Sequence, residues 1–103
     1  MALMQITIIP VGTGSTSVGR FVADVQLLLE KEGVEYALND MGTEIYGTPT
    51  ELFALAARIH EEPFRQGAER VVTQIVIDDR RDLDRHIGDK QRAVRRRLEN
   101  EER

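Results

Sequence analysis

The sequence predicts an α+β protein in which the elements follow the order β-α-β-β-α-β, with one more helix at the end. Three observations support this prediction. Two long segments place apolar residues at the three- and four-residue spacing of an amphipathic helix. Four shorter segments are rich in β-branched residues or alternate apolar and polar side chains, as strands do. Glycine and proline residues stand between these segments, where the chain must turn.

The first part of the chain contains a strand and the best-defined helix. Segment 4–10 is rich in β-branched residues and ends at a proline, which predicts a strand. A loop of Gly, Thr and Ser follows, and Ser17 is the predicted N-cap of a helix that runs to about Glu32. Gly33 provides the C-terminal stop. The apolar stripe of this helix consists of Val18, Phe21, Val22, Val25, Leu28 and Leu29.

The middle of the chain predicts a hairpin and a second helix. Segments 34–39 and 41–46 both alternate, and the connection between them is short enough for an antiparallel hairpin. Thr48 or Thr50 is the expected cap of the second helix, which Pro63 ends or kinks.

The last part predicts one more strand and a charged helix. Segment 70–79 is the clearest strand of the chain, because it is dominated by valine and isoleucine. A thin apolar stripe then indicates a charged final helix, interrupted at Gly88 and restarted at Asp89. The stripe consists of Leu83, Ile87, Val94 and Leu98.

This order of elements is that of the ferredoxin-like fold, a βαββαβ sandwich. Right-handed crossovers give a four-stranded antiparallel sheet with both main helices on one face. We expect a single domain over residues 1–103, in which 89–103 form the extra C-terminal helix. The first and last strands leave apolar residues on the opposite face, so we predict self-association through the sheet, as a dimer or a tetramer, with the terminal helix covering part of it.

The composition argues against several functional classes. The chain has 14 basic and 18 acidic residues, and its basic excess is confined to the part after Asp79. A general nucleic-acid binder would carry a basic face on its body, so we expect no nucleic-acid partner. No cysteine is present, and neither His60 nor His86 has a partner at metal spacing, so we expect no metal and no cofactor. No apolar segment is long enough to span a bilayer and the N-terminus resembles a strand more than a signal peptide, which predicts a cytoplasmic protein without a membrane partner.

Residues 38–47 form the first candidate site. Gly42 lies inside a predicted strand, which is typical of a bulge or of a close approach to the backbone. A flat ring could lie against Gly42 and contact Met41, while Asn39 and Thr43 form hydrogen bonds with its nitrogen atoms. A plain strand bulge beside the hairpin explains the same residues, and spacing alone favours that alternative.

Two other segments carry polar groups that could bind an anion. The loop 12–15 precedes the first helix and could hold a phosphate with its backbone N–H groups, but it lacks a full nucleotide-binding fingerprint. Segment 78–82 has two adjacent arginines that could clamp an anion, or carboxylates that could act as metal ligands or as acid and base. Neighbouring side chains of an extended segment point in opposite directions, so a salt-bridge network that fixes the terminal helix is an equal alternative.

The chain resembles the small thiamine-binding protein family over nearly its whole length. The matching passages are 9–13 with Ser17 and Val18, then 36–47, 67–73, and 77–82 with Lys90. Residues 41–43, Met-Gly-Thr, and 79–82, Asp-Arg-Arg-Asp, are the most specific parts. Tyr46 departs from the family pattern, which often has glutamate there.

This resemblance implies a ferredoxin-like homo-oligomer that binds thiamine, or its hydroxymethylpyrimidine moiety, without turnover. With the segments above, it gives the candidate ligand-binding residues Gly12, Thr13, Ser17, Asn39, Met41, Gly42, Thr43, Glu44, Arg80 and Arg81. Two alternatives from other classes remain open: a small enzyme that uses the open sheet face at the subunit interface, and a regulatory assembly module.

Overall fold

The computed structural model describes residues 1–101. Its elements are, in chain order, β1 (Ala2–Val11), α1 (Gly19–Glu32), β2 (Glu35–Asn39), β3 (Gly42–Gly47), α2 (Pro49–Arg65), β4 (Arg70–Asp78) and α3 (Asp89–Glu101). The order β-α-β-β-α-β plus a terminal helix confirms the predicted fold class. Within residues 1–101, no helix is both long and apolar enough to cross a membrane.

The four strands form one antiparallel sheet in the order β2-β3-β1-β4. The central strand β1 pairs with β3 on one side and with β4 on the other, so that Met4 lies opposite both Ile45 and Ile77. Residues that pair across an antiparallel sheet point to the same face. The register therefore assigns every strand residue either to the face that the helices cover or to the open face.

The hydrophobic core lies between the sheet and the helices α1 and α2. Alternate residues of β1 and β3 point into it, and the apolar stripe of each helix packs against them. Burying one such side chain contributes about 1.5–3 kcal/mol. The largest fully buried side chains of the described residues are Met4, Leu29, Ile45, Leu52, Ile59 and Pro63.

The ends of α1 differ in part from the prediction. Val18, not Ser17, stands at the N-cap position and forms no side-chain cap bond. The backbone N–H of Ser17 instead donates to Oγ of Ser15 at 3.0 Å, so that the preceding loop has its own side-chain turn. Gly33 ends the helix with φ of 68°, as predicted, because glycine adopts this left-handed conformation without steric cost.

The second helix begins as predicted but ends later. The hydroxyl oxygen of Thr48 accepts from the N–H of Glu51 at 3.2 Å, which identifies Thr48 as the cap. Pro63 does not end α2, which continues for two residues to Arg65. Pro63 is fully buried, and this burial offsets the hydrogen bond that proline cannot form.

The terminal helix is shorter than the apolar stripe suggested. Residues 79–88 form no helix, and α3 begins at Asp89. Gly88 has φ of 91°, and the carboxylate of Asp89 accepts from the N–H of His86 at 2.9 Å, so the chain changes direction here. The predicted helix 89–103 is observed to Glu101, while residues 102 and 103 lie outside the described part of the chain. No residue of α3 is buried.

One end of the open face faces the segment that leads into α3. Residues 85–88 and the first turns of α3 line a cleft together with Leu3, Gln5 and Glu44. Further along, Val76 is 66% exposed. Self-association through this face stays a prediction.

Candidate functional site

A cavity of about 630 Å³ opens between β1, α1 and the turn that joins β2 to β3. This volume lies within the range of roughly 300–1,000 Å³ that small-molecule sites occupy. Apolar residues make most of its wall: Ile6, Ile8, Ile9, Val18, Phe21, Val22, Val25 and Leu38. The apolar stripe of α1 thus extends beyond the core and forms one side of a ligand-sized space.

The turn between β2 and β3 forms the rim of this cavity. Asn39 pairs with Gly42, so Asp40 and Met41 are the two residues of the turn. The Thr7 hydroxyl donates to the backbone carbonyl of Met41 at 3.0 Å, which ties the turn to β1. The side chain of Met41 is 81% exposed, unlike that of a strand residue, because β3 begins only at Gly42.

Packing within this chain explains why residue 42 is a glycine. A Cβ atom at Gly42 would lie 2.9 Å from Oγ1 of Thr7 and 3.2 Å from the carbonyl oxygen of Ile6. The first distance is shorter than real Cβ atoms show and the second is tighter than most of them show, so any other residue here would require Thr7 and the backbone of β1 to shift. Ligand contact with the Gly42 backbone stays a prediction.

Thr43 points to the helix side, into the wall of the cavity. It is 5% exposed, and its Oγ1 accepts from Nε2 of Gln26 at 3.0 Å. The other end of that amide, Oε1 of Gln26, is buried and has no hydrogen-bond partner in the described chain. Buried acceptors without a partner are uncommon and each calls for an explanation.

Gln26 was not among the residues predicted from sequence. Its only signal is its position on α1, one residue after Val25 and four after Val22, at the edge of the apolar stripe. A glutamine at the edge of such a stripe is equally typical of a surface residue. The sequence could not show that the hairpin places Thr43 opposite this amide.

The ten predicted ligand-binding residues do not come together in one place. Four of them, Asn39, Met41, Gly42 and Thr43, line the cavity beside α1. Glu44 and Arg80 line a separate cleft of about 960 Å³ on the open face of the sheet. Ligand binding at these positions remains a prediction.

The other predicted residues lie in loops. Gly12 and Thr13 line a third cleft, together with residues 66–70 after α2. Ser17 precedes Val18, which does line the cavity beside α1. The side chain of Thr13 donates to the carbonyl of Ser15 at 3.2 Å, so part of this loop is held by its own residues.

The two predicted arginines pair with carboxylates of their own segment. Arg80 donates to Asp82 from Nε at 2.7 Å and from Nη2 at 2.9 Å. Arg81 donates to Asp79 from Nε at 3.2 Å and from Nη2 at 2.8 Å. The hydrogen bond from each guanidinium lowers the pKa of its aspartate below the ordinary value. This local pairing matches the salt-bridge alternative, although it links residues within 79–82 and not the helix itself.

A cluster of ionisable groups surrounds His86, which lines the open-face cleft. Tyr46 donates to Asp84 at 2.7 Å, and its ring stacks on that of His86 with the centroids 4.0 Å apart. Glu35 lies 3.0 Å from Nδ1 of His86 and also accepts from the N–H of Ile87 at 3.1 Å. The bond with Asp84 raises the pKa of Tyr46 to about 12, and the bond with Glu35 raises the pKa of His86.

The other histidine has a structural environment. Nδ1 of His60 lies 2.7 Å from Oγ1 of Thr73, and the imidazole ring contacts the ring of Phe64 edge-on. In the part of the chain that the structure describes, no group of three or more His, Asp or Glu side chains could hold a metal ion.

Comparisons with known proteins agree with the fold. The family model described as thiamine-binding protein matches residues 4–95. The UPF0045 protein YqgV of Bacillus subtilis is 46% identical over 103 residues, covering 96% of this chain and 99% of that protein. A UPF0045 protein of Methanothermobacter thermautotrophicus is 37% identical, covering 95% of this chain and all of that protein.

Two solved structures are similar to this fold. The structure of the hypothetical protein MJ1052 of Methanocaldococcus jannaschii has a TM-score of 0.80 at 28% identity, covering 90% of this chain and 94% of that one. A Thermotoga maritima protein described as a candidate for thiamine biosynthesis or salvage has a TM-score of 0.75, covering 90% and 97%; at 17% identity it shows the fold alone. Because the family match extends over most of its length, the chain belongs to the thiamine-binding protein family.

Proposed function

We propose that the protein is a cytoplasmic, non-enzymatic binding protein for thiamine or its hydroxymethylpyrimidine moiety, and that the ligand occupies the cavity beside α1. One observation carries this proposal. Residues 41–43, among the most specific parts of the family resemblance, line a largely apolar cavity of about 630 Å³ that is large enough for such a ligand.

The wall of the cavity suits an aromatic ring with a few polar substituents. Phe21, Ile8 and Val22 supply apolar surface for the faces of a pyrimidine. Asn39 and the Gln26 amide supply hydrogen-bonding groups for its edge. Thiamine also carries a positive thiazolium ring, and the Asp40 carboxylate at the rim has the complementary charge.

The same wall supports binding without turnover. Asp40 is the only ionisable side chain among the described residues that line the cavity. General acid–base catalysis needs groups that give and take protons within hydrogen-bond reach of the substrate, and a single exposed carboxylate at the rim is a poor basis for it.

The enzyme alternative has one observation in its favour, which is the presence of His86 in the open-face cleft. Both ring nitrogens of His86 are close to carboxylates, with Nδ1 3.0 Å from Glu35 and Nε2 3.5 Å from Asp84. This arrangement fixes the imidazole to the chain itself, so the binding function is the better supported one.

Self-association is part of the same proposal. The open face exposes Val72 and Val76, at 39% and 66%, and an apolar face in this position favours a second copy of the chain as its cover. We expect sedimentation to show a dimer or a tetramer at micromolar concentration. A monomer under these conditions would contradict self-association and leave the binding proposal in place.

Isothermal titration calorimetry tests the binding function directly. We expect thiamine and free hydroxymethylpyrimidine to bind with one site per chain, and the isolated thiazole moiety to bind far more weakly. A ligand at 100 times its dissociation constant stabilises the folded protein by about 2.7 kcal/mol, which thermal unfolding detects. No heat and no thermal shift at millimolar thiamine would refute the proposal.

A matched pair of substitutions tests the location of the site. Ala23 is an exposed residue of α1 that lines the cavity, and Ala57 is an exposed residue of α2 that lies elsewhere. Ala23→Phe should fill the cavity and abolish binding of thiamine, whereas Ala57→Phe should leave it unchanged. Equal affinities of the two variants would show that the ligand binds outside this cavity.

A further inference from the structure

We infer that Gln26 selects pyrimidines that carry an amino group, by accepting a hydrogen bond from that group with its free Oε1. This inference rests on the proposed function and assigns a role within the same cavity. It also gives Thr43 a different role from direct ligand contact: Thr43 is a positioning residue that orients the Gln26 amide.

The unpartnered oxygen is the observation that points to a ligand. Gln26 lines the cavity, and its Oε1 is buried without a partner in the described part of the chain. A buried acceptor that forms no hydrogen bond is unfavourable for the protein. A ligand N–H that reaches this atom would provide the missing partner, so binding would add a hydrogen bond that the protein does not form by itself.

The orientation of the amide determines which ligand fits. A glutamine amide has a donor end and an acceptor end, and a rotation by half a turn exchanges them. In this structure Nε2 donates to Oγ1 of Thr43 at 3.0 Å, which leaves the acceptor end without a partner in the described chain. An exocyclic amino group is a donor and matches it, whereas a carbonyl group at the same ring position would place two acceptors face to face.

The backbone holds the positioning residue in place. Thr43 pairs with Ile6 in β1 and with Leu38 in β2, so it lies in the interior of the sheet. It is also 5% exposed and has little freedom to move. The amide is therefore oriented before the ligand arrives, and a site with fixed polar groups discriminates strongly against an analogue that leaves those groups unpaired.

Calorimetry with thiamine and its 4′-oxo analogue, oxythiamine, tests the inference. We expect the native protein to prefer thiamine on the order of 10- to 100-fold, which corresponds to one unpaired buried acceptor. Gln26→Leu should weaken thiamine binding by a similar factor and leave oxythiamine binding nearly unchanged, so that the preference disappears. The matched control Gln74→Leu, at an exposed residue of β4, should keep the native preference.

A second variant tests the orientation of the amide. Thr43→Val keeps the shape of the side chain but removes the hydroxyl that holds Nε2. The amide can then present either end, and the preference for thiamine over oxythiamine should fall at least several-fold. Because this change places an apolar group in a buried position, the variant should fold even if Gln26→Leu does not.

The outcomes separate this inference from the proposed function. If the native protein binds thiamine and oxythiamine equally, or prefers oxythiamine, the inference is wrong and the binding function stands. A native preference that both Gln26→Leu and Thr43→Val retain would also overturn it. If the native protein binds neither compound, the proposed function itself fails.

Discussion

The two faces of the sheet carry clefts of opposite chemistry. The cavity on the helix side is largely apolar, and Asp40 is its only ionisable lining residue in the described chain. The cleft on the open side is lined by both signs of charge, from Asp78 and Glu44 to His86 and Lys90. One face is therefore suited to bind a ring by shape and a few fixed hydrogen bonds, and the other responds to pH.

The strand β3 serves both faces, because successive side chains of a strand point in opposite directions. Thr43 and Ile45 are buried on the helix side, one at the cavity and the other in the core. Glu44 and Tyr46 point to the open side and meet the segment that leads to α3. Residues next to each other in the family motif therefore belong to opposite faces of the sheet.

The largest expected effect is a difference in the free energy of unfolding between substitutions on the two faces. Ile45 is 0% exposed and lies in the core cluster, so Ile45→Ala should destabilise the protein by about 2–5 kcal/mol. Val76 is 66% exposed on the open face, so Val76→Ala should change stability by no more than about 0.5 kcal/mol in a monomer. Urea unfolding of both variants provides the measurement.

The same experiment shows whether a second chain covers the open face. If it does, Val76→Ala should cost more than the monomer value, and the cost should grow with protein concentration because dissociation accompanies unfolding. A cost near zero at every concentration would contradict coverage at Val76. An Ile45→Ala cost below about 1 kcal/mol would contradict the assignment of the core to the helix side.

The next effect concerns the close approach of β1 to β3. Gly42→Ala would place a Cβ 3.2 Å from the backbone oxygen of Ile6, which cannot move as freely as a side chain. We expect a loss of about 1–3 kcal/mol, the usual cost of overpacking. Gly19→Ala is the matched control, since its Cβ would meet only Oγ of Ser17, at 3.9 Å. That change in α1 should be neutral or stabilise the protein by up to about 1 kcal/mol.

Two results would contradict this account of Gly42. Thermal unfolding midpoints that fall equally in the two alanine variants would show that the contact with β1 is not what requires glycine. Full stability of Gly42→Ala together with loss of thiamine binding would mean that ligand approach, and not packing, is the reason for this glycine.

The sequence predicted the fold well because local patterns and the fold agree. The stripe of α1, the stop at Gly33 and the cap at Thr48 each depend on residues within one or two turns, and all three are confirmed. Of the two outcomes predicted for Pro63, an end or a kink, the helix end is not observed, since α2 continues to Arg65 and Pro63 is buried inside it. The stretch 83–88 carries apolar residues at helical spacing, but contacts with Glu35 and Tyr46 hold it without helical turns.

The candidate site could be predicted only in part. Asn39, Met41, Gly42 and Thr43, which line the cavity, were predicted because they are close together in the chain and belong to a recognisable motif. Gln26 was missed because its partner, Thr43, is 17 residues away and a glutamine at the edge of a stripe has no local signature. The cluster around His86 joins residues up to 52 positions apart, and no local pattern in the sequence indicates such a contact.

The smallest expected effect concerns this cluster and depends on pH. The hydrogen bond with Glu35 raises the pKa of His86 above its ordinary value of 6.5. A raised pKa means that the folded protein holds the proton more tightly than the unfolded chain does. The stabilisation is therefore complete below pH 6.5 and is lost as the pH rises through the raised pKa. We expect residues 84–88 to be held more weakly on the sheet at alkaline pH.

An NMR titration of the His86 imidazole, with the Ile87 amide as a second reporter, measures this effect. Glu35→Gln should bring the pKa of His86 down, because it removes the largest cause of the shift. Glu44→Gln, which neutralises another carboxylate of the same cleft, is the matched control and should change it little. An equal shift in both variants would assign the effect to the general charge of the face.

No histidine lines the cavity in the described chain, so affinity for thiamine should stay constant through this titration. A parallel change in affinity would show instead that the two faces are coupled through β3.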